Sequence, residues 1–208
     1  MAKIELRKSR KEEVEIAVHL IYSSGPPSFE YVFKNSGKNA MDFLHHAFVR
    51  QGGEFSFDNH HSLYRDNVMV GIGSFFDGSI AKNFTIYDGL NILRFYKFGS
   101  PSVIKNGLRV EQIIKLPKVN QMALAHIAIL SDYRGKGLGT ELMIQLMNAS
   151  KAKEDQKYVL DVSEENPRAH ALYNRLGFTV TAKMKSDLRN KYSYVANHFR
   201  MEREVSII

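Results

Sequence analysis

A glycine-rich loop with two cationic side chains has the residue types that bind phosphate. It reads Arg134-Gly135-Lys136-Gly137-Leu138-Gly139-Thr140, and it lies between an apolar stretch at residues 122–130 and an amphipathic stretch at residues 140–151. The start of a helix presents unpaired backbone N–H groups and a partial positive charge, and glycines allow a ligand to approach the backbone closely. The loop therefore predicts a pyrophosphate site at the start of a helix.

Spacing argues against two other phosphate-binding loops. The chain lacks the Gly-x-x-x-x-Gly-Lys-Ser/Thr pattern here, and glycines at 135, 137 and 139 do not fit Gly-x-Gly-x-x-Gly. Asp155 follows Gly135 at the distance of a ribose-binding acid, but it lies in a polar segment before the next strand. Nucleotide hydrolysis and nicotinamide binding are therefore disfavoured. A turn that merely joins a strand to a helix is the alternative that the loop alone leaves open.

A second informative stretch covers residues 166–178. Asn166 is a good N-cap, Pro167 suits the first helical position, and Gly177 can adopt the left-handed conformation that ends a helix. Tyr173 lies within this predicted helix. On local grounds alone, Tyr173 can equally be a half-buried aromatic residue with a solvated hydroxyl.

Both stretches resemble signatures of the GNAT acetyltransferase superfamily. Arg134-x-x-Gly137-x-Gly139 is similar to its Arg/Gln-x-x-Gly-x-Gly/Ala loop, and residues 166–178 are similar to its Asn-x-x-Ala-x-x-x-Tyr-x-x-x-Gly-Phe pattern. His126-Ile127-Ala128-Ile129 resembles the strand that enters the loop. The detailed resemblance spans residues 122–178. It implies an N-acetyltransferase that uses acetyl-CoA as co-substrate and moves the acetyl group to a primary amine by direct attack.

The resemblance also implies roles for individual residues. The loop amides would bind the pyrophosphate, the edge of the preceding strand would pair with the pantetheine arm, and Tyr173 would protonate the departing thiolate. The implied cofactor-binding residues are Ile127, Ala128, Ile129, Arg134, Gly135, Lys136, Gly137, Leu138, Gly139, Thr140, Asn166 and Tyr173.

The sequence offers three candidates for the general base. Many family members carry a Glu early in the central strand, whereas this chain reads Met122-Ala123-Leu124-Ala125 there. His126 is the nearest titratable residue, so we take it as the candidate base, with a hydrogen-bonded core histidine as the alternative. Asp161 and Glu164 are further candidates, acting through water.

Periodicity supplies the elements that must position these residues. Strands are expected at residues 4–7, 62–65, 68–73, 122–130, 158–162, 178–183 and 199–205, and helices at residues 9–24, 39–51, 90–98, 104–116, 140–151 and 166–176. The strands before and after the glycine-rich loop should be parallel, with a right-handed crossover. The fold class is α/β: a single GNAT-like domain with a mixed, mostly antiparallel twisted sheet and helices on both faces.

We divide the 208 residues into an N-terminal part with acceptor-side helices (1–120), an acetyl-CoA-binding core (121–183) and a closing strand (184–208). The resemblance assigns acceptor recognition to residues 21–34 and 187–198, where aromatic residues could line a pocket or pack as a lid: Tyr22, Phe29, Tyr31, Phe33, Tyr192 and Tyr194. A small-molecule amine is preferred as acceptor, and a protein N-terminus or lysine is the alternative. A non-catalytic acyl-CoA sensor is the alternative function outside the enzymes.

Composition limits the partners. The chain has no Cys, which excludes disulfides and a cysteine nucleophile, and its net charge of +7 favours an anionic partner. The cations are scattered without a recognition motif, so no nucleic acid is expected, and no apolar run suggests a membrane span. We expect no metal site, because the side chains of the His45-His46 and His60-His61 doublets diverge. A cytoplasmic monomer or homodimer is expected.

Overall fold

The computed structural model describes residues 2–35 and 37–205. The strands are β1 (Ile4–Lys8), β2 (His60–Arg65), β3 (Val68–Asp77), β4 (Gln121–Ile129), β5 (Lys157–Ser163), β6 (Thr179–Met184) and β7 (His198–Glu204). The helices are α1 (Val14–Ser23), α2 (Pro26–Phe33), α3 (Ala40–Phe48), α4 (Gly78–Tyr96), α5 (Ser100–Val110), α6 (Leu138–Ser150) and α7 (Pro167–Arg175). Each predicted strand is therefore present within a few residues of its expected bounds.

One sheet contains all these strands in the order β1-β2-β3-β4-β5-β7-β6. The β4–β5 pair is parallel and the other neighbours are antiparallel, which confirms the predicted mixed sheet. The β2–β3 hairpin turns at Asp66 and Asn67, which both have positive φ. A two-residue turn needs this conformation to match the right-handed twist of the strands. Helix α6 makes the crossover between β4 and β5.

Helices cover both faces of the sheet, as predicted. Helix α1 packs on β3 and β4 from one side, with α2 and α3 outside it, while α6 packs on the same strands from the other side. The apolar stripe of α3 faces the core, where Phe43, Leu44, Ala47 and Phe48 are all buried. The central strands thus lie between two apolar layers, which explains the nearly continuous apolar sequence of β4.

Three helical predictions need correction. The helix predicted at residues 9–24 begins only at Val14: Ser9 is buried, its hydroxyl contacts that of Ser62, and a 3₁₀ turn at Lys11–Glu13 precedes the helix. Pro26 and Pro27 follow the end of α1 and begin α2, a helix that was not predicted, because proline fits the first helical turn. The helix predicted at residues 90–98 begins at Gly78, where Asp77 caps it by accepting from two N–H groups.

Within the two described ranges, no helix is long and apolar enough to cross a bilayer.

Candidate active site

The glycine-rich loop leaves β4 and enters α6 with its backbone exposed to ligand. Gly135 and Gly137 have φ values of +74° and +78°, and a Cβ built on either would meet no atom within 4 Å. The first hydrogen bond of α6 runs from Glu141 N–H to Gly137 C=O. The N–H groups of residues 138–140 therefore precede the helical ladder and remain available, in the described structure, for an anion.

The two cations of the loop fold back on the loop itself. Arg134 Nε donates to Ile129 C=O at 2.9 Å, and Lys136 Nζ donates to Asp132 C=O at 2.8 Å while lying over the Tyr133 ring. These bonds fix the start of the loop. Both side chains keep further N–H donors and their charge, so the loop combines a positive field with outward-facing amides.

Beside the loop, β4 and β5 diverge. Their parallel pairing covers only Gln121 to Ala123, so the remainder of β4 has an edge that β5 does not cover within the described chain. Leu130 N–H donates to Val70 C=O, and the alternation of an antiparallel ladder then turns the backbone groups of Ala128 toward β3 and those of Ile129 away from it. The open edge therefore presents the N–H group of Ile129, whose C=O already accepts from Arg134, and Ala128 contributes no backbone bond to this edge.

His126 lies at a bulge in β4. The register with β3 shifts between Ile72 and Ser74, and His126 takes a positive φ of 54°, a conformation uncommon for a residue with a side chain. Its Nδ1 is 3.0 Å from Nε2 of His60, and the two rings meet edge to edge with 15° between their planes. Its Nε2 is 3.6 Å from Oε1 of Glu54, in the segment after α3. The bulge thus brings together two histidines and a carboxyl.

Burial changes the pKa of each member of this group. Desolvation lowers the pKa of His126 well below its usual value and lowers that of His60 to about 4. Desolvation, then Asp88 and Glu111, raise the pKa of Glu54 to about 8. The Asp88 carboxylate, which accepts from Glu54 N–H at 2.9 Å, has its own pKa raised by burial to about 7. Perturbed titratable groups gathered in one place are typical of functional sites.

The other two candidate bases are occupied. Asp161 is buried and pairs with Arg200 at 2.8 Å on the adjacent strand, and Arg200 also donates to Lys115 C=O. Glu164 accepts from Lys183 and from Asn197. Both carboxyls therefore stabilise the β5–β6–β7 side of the sheet, and each is already paired with a cation. The interpretation of Asp161 and Glu164 as bases is not favoured by this geometry.

Helix α7 carries the residues of the second motif. Asn166 caps it by accepting from Ala169 N–H at 3.1 Å, so this side chain has a local structural role. Tyr173 is buried among the residues that pack between the sheet and α6, and desolvation raises its pKa to about 12. Its hydroxyl has no hydrogen-bond partner among the described residues. A Cβ on Gly139 would lie 3.3 Å from Leu172, so the start of α6 and helix α7 are in close contact.

The predicted acceptor region divides into lining and packing residues. Phe29 of α2 and Phe55 flank the His126 ring, at centroid distances of 6.1 and 5.4 Å. Tyr31 and Phe33 are instead part of the buried core. The remaining aromatic residues lie elsewhere: Tyr22 bonds Glu30 beside Phe29, Tyr194 bonds Glu165, and Tyr192 lies near Lys34 and Asn39.

Neither histidine doublet gathers the ligands of a metal. His60 faces His126 while His61 stacks on Phe75, so the two rings lie on opposite faces of β2. His46 stacks on Phe95, and His45 lies 3.7 Å from Glu15. Across the described ranges, no three His, Cys, Asp or Glu side chains are grouped to hold an ion.

Sequence reasoning missed Glu54, His60 and Asp88. Each is distant from His126 along the chain, and no local motif marks any of them. The available signal was the His60-His61 doublet just before a predicted strand, which we considered only as a metal site. In the sheet, only β3 separates β2 from β4, and this strand order brings His60 within reach of His126.

Comparison with known proteins agrees with this geometry. Over 55 residues, the chain is 36% identical to N-alpha-acetyltransferase 30 of Schizosaccharomyces pombe, a match that covers 26% of this chain and 37% of that relative. The chain thus spans little more than a third of this curated relative. Similar solved structures include an N-acetyltransferase from Staphylococcus aureus Mu50, with a TM-score of 0.71, 18% identity, and coverage of 96% of this chain and 100% of that one. Mutant forms of the spermidine/spermine N-acetyltransferase SpeG from Vibrio cholerae match with a TM-score of 0.56, 13% identity, and 97% and 93% coverage.

The identities to solved structures are low and show a shared fold. A family model provides the stronger finding, because it matches residues 29–178, which include the glycine-rich loop, the bulge at His126 and helix α7. On this match, the chain belongs to the acetyltransferase (GNAT) family.

Proposed function

We propose that this acyltransferase moves an acetyl group from acetyl-CoA to the primary amine of a small molecule by direct attack. The observation that carries the proposal is the divergence of β4 and β5 between an amide-lined loop and the His126–Glu54 pair. Positive-φ glycines with open space above them fit a pyrophosphate, and the uncovered edge of β4 fits an extended arm. When bound, acetyl-CoA supplies a thioester whose carbonyl carbon bonds to the amine nitrogen as the carbon–sulfur bond breaks.

His126 and Tyr173 handle the two protons in this proposal. An amine must lose a proton as it attacks, and the Nε2 lone pair of neutral His126 can accept it. The pKa of Glu54 is raised to about 8, so its carboxyl, 3.6 Å away, stabilises the imidazolium that forms once it has ionised at alkaline pH. Tyr173 keeps its proton at neutral pH because its pKa is raised to about 12, so it can donate that proton to the departing thiolate.

We prefer a small-molecule acceptor because the side chains around the candidate base are largely enclosed. The side chains of His126 and Glu54 are only 10% and 28% exposed, and aromatic rings flank His126. A peptide segment needs an open groove, whereas a small amine fits an enclosed aromatic site. A protein or peptide N-acetyltransferase is the second candidate, favoured by the 36% identity to N-alpha-acetyltransferase 30. A non-catalytic acyl-CoA sensor is disfavoured, because a sensor needs no base.

An acceptor screen with free-thiol release as readout tests the proposal. The panel contains small primary amines, including polyamines such as spermidine, together with peptides that carry free N-termini and peptides that carry lysine. Thiol release that depends on a small amine supports the proposal. Turnover confined to peptides replaces it with the second candidate. If acetyl-CoA raises the melting temperature but no amine releases thiol, the sensor is correct.

A further inference from the structure

His60 is a buried histidine to which the proposed reaction assigns no role. It has no exposed surface, and it lies on β2 between Ser56 and His126. Its Nδ1 is 2.8 Å from Ser56 C=O, and its Nε2 is 3.0 Å from Nδ1 of His126. Both nitrogens of His60 therefore have a partner, and one of those partners is the candidate base.

The direction of each hydrogen bond follows from chemistry. A carbonyl oxygen only accepts, so Nδ1 of His60 carries a proton and donates to Ser56. Burial keeps His60 neutral, because its pKa is lowered to about 4, so its Nε2 has no proton and must accept. Nδ1 of His126 is then the donor. Since His126 is also neutral, its Nε2 carries the lone pair, and this is the atom that faces Glu54.

We propose that His60 is a positioning residue, which holds the proton of His126 on Nδ1 and so leaves Nε2 as the basic atom on the acceptor side. This inference rests on the proposed function, in which His126 takes the proton of the amine. Without an acceptor beside Nδ1, the His126 proton could instead reside on Nε2 and point at the Glu54 carboxyl. The ring would then present a donor to the incoming amine.

The surrounding charges leave His60 neutral near neutral pH, so it continues to accept from Nδ1 of His126. Lys8 of β1 lowers the pKa of His60 further, and Asp58 opposes it weakly, but burial is the larger effect. Glu54 and, behind it, Asp88 are the titrating groups on the far side of His126. In the proposed function, the pH dependence of activity should therefore reflect the ionisation of Glu54. Because His60 stays neutral, replacing it should leave the midpoint of that pH profile unchanged.

Two amide substitutions separate the two bonds of His60. His60→Gln places an amide oxygen near the Nε2 position and keeps an acceptor for His126. His60→Asn places its amide near the Nδ1 position, so it can still donate to Ser56 but leaves His126 without an acceptor. His61→Gln is the matched control, because it makes the same change one residue along the strand on the opposite face. Melting temperatures establish that each variant is folded.

Nitrogen-15 NMR of the folded protein measures the tautomer of His126 directly, with its signal identified by loss in His126→Gln. We expect the proton on Nδ1 in the unmodified protein, His60→Gln and His61→Gln, and a shift toward Nε2 in His60→Asn. Turnover of His60→Asn should fall roughly 10- to 100-fold, part of the contribution of a correctly protonated base, at unchanged KM for acetyl-CoA. His60→Gln should recover most of it.

The activity assay and the NMR comparison test different claims. If no amine is acetylated by the unmodified protein, the proposed function is wrong, but the NMR comparison still decides whether His60 sets the tautomer. A His126 proton that stays on Nδ1 in His60→Asn would overturn the inference. Equal loss of turnover in His60→Gln and His60→Asn, with both folded, would also overturn it, since the acceptor at Nε2 would then have no specific effect.

Discussion

The pyrophosphate site can be tested by adding one methyl group to the loop. In Gly137→Ala, the new Cβ meets no protein atom within 4 Å, so it lies on the open side of the backbone from which a ligand would approach. The remaining cost is conformational. Holding a residue other than glycine at φ of +78° costs about 1–2 kcal/mol, and reduced freedom of the unfolded chain offsets about 0.4–1 kcal/mol of this.

The chain contains a matched control at Gly37. It has φ of +74° and equally open surroundings, but it lies between α2 and α3 in the N-terminal half. Gly37→Ala should therefore cost the same stability, and both variants should melt only a few degrees lower, at about 2–4 °C per kcal/mol for a chain of this size. Any difference between the two variants in their response to ligand isolates the loop.

Thermal shift with acetyl-CoA provides the measurement. At a ligand concentration about 100 times Kd, binding adds about 2.7 kcal/mol, which is roughly 5–10 °C. A roughly 100-fold weaker Kd in Gly137→Ala would reduce this to about 0.4 kcal/mol, near 1 °C. We expect a full shift in Gly37→Ala and almost none in Gly137→Ala. An undiminished shift in Gly137→Ala would show that the pyrophosphate does not contact this turn.

Three further predictions concern single side chains. Tyr173→Phe should lower kcat and leave the acetyl-CoA thermal shift intact, whereas Tyr158→Phe, which removes a hydroxyl bonded to Met147 C=O, should change stability alone; steady-state kinetics that show full activity for Tyr173→Phe would remove it from the mechanism. Because the pKa of Glu54 is raised in the folded protein from 4.5 to about 8, folding favours its protonated form, and ionisation reduces stability as pH rises between these values. Glu54→Gln should therefore gain stability over the unmodified protein from pH 5 to 9 in urea melts, and a constant difference would contradict the raised pKa. Arg200→Met leaves Asp161 buried without its partner and should cost about 3–5 kcal/mol in the same melts, a loss that acidification should reduce as the carboxyl is protonated.

Local signals allowed the elements that form the candidate cofactor side to be predicted. A buried strand, a glycine-rich turn and an amphipathic helix follow one another directly, so short-range rules on helix starts and left-handed glycines locate the loop. The cap of α7 at Asn166 is equally local. Even the parallel pairing of β4 and β5 follows from their crossover connection, because such connections allow few alternatives.

The acceptor side required the tertiary structure. His60 and His126 are separated by 66 positions, and their contact depends on the order of three strands and on a bulge that no residue pattern announces. Glu54 lies in a segment without regular structure, where periodicity carries no information. Helix α4 was placed too late because its outer face carries apolar residues, such as Ile86 and Leu90, which obscure the expected stripe.

The conformation of His126 gives an independent reason to regard it as functional. A residue with a side chain at positive φ carries strain of about 1–3 kcal/mol, and glycine or asparagine at a bulge would carry less. Here the conformation turns one imidazole to contact His60 through Nδ1 and to face Glu54 through Nε2, next to the point where β4 leaves β5. In the proposed reaction, this conformation places the base, with a defined tautomer, at the opening of the sheet.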